Sequence, residues 1–173
     1  MKTILISIIS ITLLTASTWQ DIQSSTQTLT SLDVQSSNLE RSIVEFNIDG
    51  FHLIPIQTPE GEMYLAHLED GASLLDASAP DMHKYARSIV IPDDKQMAIN
   101  VLSSDYKEYE NVLIAPSKGN LSRNIDPADV SFEFGSVYQE DTFFPGDLAG
   151  LESPYILRDI RGQSIVFYPF QYN

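Results

Sequence analysis

"PYILRDIRGQSIVFYPF", residues 154–170, reads as two extended runs around a tight connector. The runs "PYILRDI" and "QSIVFYPF" flank Arg161-Gly162, where a glycine in second place takes positive φ without steric cost. This pattern predicts a β-hairpin, and the chain before it agrees. In "IVEFNI", residues 43–48, Val44, Phe46 and Ile48 alternate with Glu45, Asn47 and Asp49. "MYLAHLE" (63–69) and "QMAINVL" (96–102) alternate less cleanly, and "SIVI" (88–91) and "NVLIA" (111–115) are short apolar runs. Turn residues separate them at Asp49-Gly50, Pro59-Glu60-Gly61, Asp70-Gly71, Pro92-Asp93-Asp94 and Ser117-Lys118-Gly119. Only "GASLLDAS" (71–78) and "DMHKYARS" (81–88) are expected to make short helical turns, and 134–154 reads as one long irregular segment. The expected fold is all-β, an antiparallel β-sandwich-like domain. "FYPFQYN" follows directly on a strong strand. If that strand lies at a sheet edge, its missing neighbour comes from elsewhere or from a longer product.

The totals suit one domain. The chain has 173 residues, 43% hydrophobic and 20% charged, which is a globular composition. Ten Lys+Arg against 24 Asp+Glu give a formal charge of −14, which repels phosphate backbones and argues against nucleic-acid partners. There is no cysteine, so disulfides, thiolate zinc sites and a cysteine nucleophile are excluded within the 173 residues.

Lys2, the apolar run "ILISIISITLL" (4–14) and the small residues of "TASTW" have the parts of a secretory signal peptide. The run is too short to span a bilayer, which takes about 20 residues. Cleavage is expected at Thr15-Ala16-Ser17 or Ala16-Ser17-Thr18, leaving an exported chain with no stable membrane anchor. The domain plan is a signal peptide over 1–17, a loosely ordered Ser/Thr/Gln-rich segment over 18–41, and the folded domain over 42–173.

Chemistry is sparse. His52, His67 and His83 lie on separate segments without ligand spacing, and read as structural or surface histidines. Asp126, Asp129, Glu133, Glu140 and Asp141 do not follow a calcium-loop spacing, so no metal or cofactor is expected. Ser117 and Ser122 lack a neighbouring base, and "APSKGN" lacks the spacing of a phosphate loop. What remains unusual is "NVLIAPSKGNLSRNIDP", residues 111–127: a strand that runs into a loop carrying two isolated cations, Lys118 and Arg123, in an acidic chain.

That stretch, together with "FGSVYQEDTFFPGDLA", "PYILRDIRGQ" and "FQYN", resembles the N-terminal prodomain of gingipain-type cysteine peptidases. The resemblance runs from about Arg87 to Asn173 and rests on the long words "VLIAPSKG", "FFPG" and "ILRDIRGQ". Upstream, "VEFNIDGF" and "ASAPDMHKYARSI" fit more loosely, with His83 where the family usually has a second proline. The resemblance implies a β-sandwich made with a signal peptide and exported by the type IX route. Such a domain precedes a caspase-like catalytic domain, assists its folding and inhibits it until proteolysis. In arginine-specific members an Arg within S-R-x-x-x-P occupies the enzyme's specificity pocket, and here "SRNIDP" places that role on Arg123.

Lys118 is the rival plug should the partner take lysine, or else a turn residue; Ser122 and Asp126 are secondary members of the loop. Arg158, Asp159 and Arg161 read as hairpin residues, and Arg41 and Arg87 as exposed processing targets. Two other readings stay open. One is a stand-alone secreted β-sandwich that binds glycans or a cell-surface partner through Tyr138, Phe143, Phe144, Tyr155 and Tyr168. The other is a truncated remnant without activity.

Overall fold

A computed structural model describes residues 17–22 and 30–173. The expected signal peptide lies almost wholly outside the described residues. Among those described, ten strands follow in order: β1 (Thr18–Asp21), β2 (Thr30–Ser37), β3 (Ser42–Ile48), β4 (Gly50–Thr58), β5 (Gly61–His67), β6 (Ala72–Ser73), β7 (His83–Val90), β8 (Ala149–Leu151), β9 (Tyr155–Leu157) and β10 (Ile160–Phe167). Two 3-10 turns, Pro127–Asp129 and Ser136–Gln139, are the helical elements among the described residues. The protein is all-β, and every pairing between these strands is antiparallel.

The described strands form three sheets. One runs β1-β4-β5, one is the β2-β3 hairpin, and the largest runs β6-β7-β10-β8 with β9 also on β10. The alternation of β3 does what its period requires. Val44, Phe46 and Ile48 face Tyr85, Ile165 and Phe167 of the large sheet, while Glu45 is exposed. Phe46 is the anchor, stacked 5.0 Å from Tyr85 and 4.6 Å from Phe167, ring centre to ring centre. A second cluster, Phe51, Leu53, Ala66, Met82 and Ile114, fills the space over β4 and β5, and Phe170 packs on both clusters.

Several sequence expectations give way to tertiary pairing. The tight turn is Arg158-Asp159, with Arg158 at φ 59°, and Arg161-Gly162 lies inside β10. Gly162 is needed there for a different reason. A Cβ on it would come within 2.9 Å of the Tyr155 ring, which lies across the strand. Residues 81–88 are no helical turn, because His83–Val90 is the strand that pairs with β10 from Tyr85 to Val90. Nor is 71–78, which holds β6.

The run 96–102 joins no ladder. Ile99 packs on the core, whereas Val101 and Leu102 are exposed, so the pattern has too few inward residues to hold an edge. β10 is flanked on both sides, by β7 and by β8 and β9, so this strand does not lie at a sheet edge. Arg87 sits in β7 opposite Ile165 with its guanidinium over the Tyr85 ring, which is not a loosely held segment. Within 18–41, β1 pairs with β4 and β2 with β3, because Leu32 is drawn onto the core and Trp19 packs on His52.

Candidate functional site

The loop stands on a buried base. Ile114, Ala115, Pro116 and Ser117 are buried, and their backbone is bonded on two sides. Ala115 N–H donates to Tyr64 O at 2.7 Å, and Tyr64 N–H donates to Leu113 O at 2.8 Å. On the other side Asp81 N–H donates to Ala115 O, Ser117 N–H to Ala79 O, and Ser78 N–H to Ser117 O, all within 2.9 Å. "NVLIA" is thus a threaded segment between β5 and the stretch before β7, held by single bridges at Tyr64 and Pro80. Tyr138 adds a hydroxyl bond to Ile114 O at 3.0 Å. Burial raises the Tyr138 pKa, with Tyr172 and Asp81 adding to it. Burial also holds the Asp81 carboxyl above the usual carboxylate range, and its Oδ1 has no partner.

From that base the chain leaves at Lys118 and returns at Pro127. Gly119, at φ +77°, makes the first bend, and its N–H donates to Ser117 Oγ at 3.1 Å. At the far end Ile125 N–H donates to Ser122 O at 2.9 Å, closing a β-turn with Arg123 and Asn124 at its centre. Arg123 is therefore at the tip, and it is exposed together with Ser122 and Asn124. Asp126 Oδ1 accepts from Ala128 N–H at 2.9 Å and caps the 3-10 turn on which the loop re-enters. Lys118 is placed otherwise. Its Nζ donates to Pro127 O at 2.7 Å and lies 4.2 Å from the Phe132 ring centre. The two cations that are equivalent on paper differ in space: one points out and one is tied down.

The remaining candidates fall elsewhere. Arg161 donates to the carbonyls of Pro92, Asp93 and Lys95 and so braces the turn after β7. Of the aromatics considered for a platform, Tyr138 packs on Phe134 and Tyr172, Phe144 pairs with Tyr172 and packs on the core, and Tyr155 lies across Gly162. Asp141 accepts from Asn173, and among the described residues no group of three or more His, Cys, Asp or Glu is placed to hold a metal ion.

Linear spacing missed one convergence. The histidines that lie apart in sequence form a chain, with His52–His67 ring centres 6.4 Å apart and His67–His83 4.4 Å apart. The signal was present in the turn at Pro59-Glu60-Gly61, whose register sets His52 opposite His67. With Ser17, Ile54 and Glu69, His52 and His67 line an open groove of about 300 Å³.

The Propeptide_C25 family model matches residues 23–173. Gingipain R1 of Porphyromonas gingivalis is 38% identical over 140 residues, 81% of this chain and 14% of that protein. Gingipain R2 of the same species, strain W83, is 37% identical over 138 residues, 80% of this chain and 19% of that one. The chain thus spans under one fifth of the length of these relatives. Among solved structures, a complex of Porphyromonas gingivalis RgpB pro- and mature domains superposes with a TM-score of 0.77 at 36% identity, covering 82% of this chain and 75% of the other. A structure concerned with the zymogenic latency of gingipain K of Porphyromonas gingivalis reaches 0.74 over 91% and 88%, and at 18% identity shares the fold.

Proposed function

The chain belongs to the Propeptide_C25 family, and from that premise we propose that it is the propeptide of a gingipain precursor. It is a non-catalytic domain that assists the folding of a gingipain-type cysteine-peptidase catalytic domain and keeps it inactive by seating Arg123 in its specificity pocket. The partner follows from the superposed complex, in which a prodomain is bound to a mature domain. The nucleophile belongs to the partner, since these 173 residues contain no cysteine. Export rests on the signal-peptide reading of 1–17; among the described residues no helix is long and apolar enough to cross a membrane.

The observation that carries the proposal is Arg123 at the tip of a β-turn above a buried, doubly bonded base. A planar guanidinium meets a carboxylate through two parallel charge-assisted hydrogen bonds, which suits a pocket selective for arginine. A loop already braced at Asp126 and Gly119 loses little freedom when it docks, so more of the contact energy appears as affinity. Inhibition of a mature gingipain R by Arg123→Ala tests the proposal. A desolvated charged anchor contributes at least about 2 kcal/mol, which predicts potency at least about 30-fold weaker with the fold intact. Unchanged potency would remove Arg123 from the pocket.

A further inference from the structure

Lys118 is turned onto its own loop. Its ammonium donates to the carbonyl of Pro127, nine positions along, and covers the Phe132 ring. Residues 118 and 127 are the two feet of the segment that carries Arg123, so this hydrogen bond closes a ring through 119–126. The Pro127 carbonyl also accepts from Val130 N–H at 3.3 Å, which makes it the fixed point where the 3-10 turn begins. An exposed lysine that merely confers solubility would extend into water. This one spans the mouth of the loop.

We propose that Lys118 is a positioning residue for Arg123: a clasp that holds the loop in its presented shape before the partner arrives. The inference rests on the Arg123 reading and makes the clasp a brake on cleavage of the docked loop. Tied feet leave few conformations to lose on docking. A released loop must be ordered by the enzyme, and it can also flex until the Arg123 carbonyl reaches the attacking nucleophile in line. Opening the clasp therefore weakens inhibition and converts the loop towards a substrate, with water added across the Arg123–Asn124 peptide bond.

The test compares the full chain with Lys118→Met, Lys118→Arg and Arg123→Ala against a mature gingipain R. Lys118→Met keeps the apolar stem on Phe132 and removes the donor and the charge, whereas Lys118→Arg keeps both. Removing a charge-assisted hydrogen bond along with a cation–π interaction predicts about tenfold weaker inhibition for Lys118→Met, with slower association. The chain cut after Arg123 accumulates in the same reaction, and Lys118→Arg restores potency to within about threefold. In the free protein, amides 120–125 of Lys118→Met exchange hydrogen about tenfold faster than wild type relative to those of β10. This ratio stays readable if the variant is also less stable overall.

Wild-type potency and a wild-type exchange ratio in Lys118→Met, alongside a loss in Arg123→Ala, would overturn the clasp alone. An equal loss in Lys118→Met and Lys118→Arg would overturn it too. Full potency in Arg123→Ala would bring down the reading on which it rests.

Discussion

Acidification should loosen this domain through its histidine chain, and the sign follows from burial. His83 is buried; its Nδ1 lies 2.9 Å from Leu68 O and 3.3 Å from Leu68 N, and Nε2 faces Ser73 Oγ at 3.3 Å. Burial lowers its pKa, partly opposed by the Leu68 bond. His67, half-buried, is lowered by burial first and then by His83 and His52, while Glu69 opposes. Both groups thus bind protons less readily folded than unfolded. Their contribution is fully present above the unfolded value of about 6.5 and is lost as pH falls from there towards the folded values.

A group that stays neutral in the native state costs about 1.4 kcal/mol per pH unit below that point. His83 should therefore cost stability between about pH 7.5 and 5.5, with a ceiling of about 1.4 kcal/mol set by a ring that stays neutral throughout, and the more exposed His67 less. For a chain of this size each kcal/mol lost is a fall in Tm of roughly 2–4 °C. Two effects run the other way. Relief of self-repulsion in a chain of formal charge −14 stabilises it on acidification. Asp81, whose pKa is raised, adds stability as pH falls through the window just above the ordinary Asp value. The readout is therefore a difference: denaturant unfolding of wild type and His83→Gln at several pH values, compared by slope. The wild type should lose more stability than the variant over that range, by up to about 1.4 kcal/mol. Equal slopes would refute the reasoning.

Two further outcomes follow from packing. Phe46→Ala removes the ring that joins β3 to Tyr85 and Phe167, and should cost about 3 kcal/mol, a fall in Tm of roughly 6–12 °C by calorimetry. A fall under about 2 °C would mean that the hairpin is not docked there. Gly162→Ala places a methyl within 2.9 Å of the Tyr155 ring and should destabilise by about 1–2 kcal/mol, and the additional change Tyr155→Ala should recover most of it. No recovery would locate the strain elsewhere.

The sheets were legible wherever local pattern and tertiary pairing agree. Val44, Phe46 and Ile48 announce their face, and the Pro59-Glu60-Gly61 turn sets the β4–β5 register. Legibility ended where a residue's reason is non-local. Gly162 looks like a turn glycine, but it is a gap filled by Tyr155, and nothing in the local sequence tells which dipeptide of the hairpin bends. Residues 81–88 carry no strong strand pattern; β10 alongside decides them. In the loop, sequence singles out both cations. Only the fold brings Pro127 and Phe132 to Lys118, and so separates the tied cation from the exposed one. The His52–His67 half of the histidine chain follows from the Pro59-Glu60-Gly61 turn, whereas His83 was hidden because it reaches His67 from a strand of another sheet.

The most direct measurement is a crystal structure of the full chain bound to a mature gingipain R. The account predicts the Arg123 guanidinium inside the specificity pocket, paired with a carboxylate at about 2.7–2.9 Å, and the Arg123–Asn124 bond uncut. Arg123 in bulk solvent, with another residue filling that pocket, would contradict it.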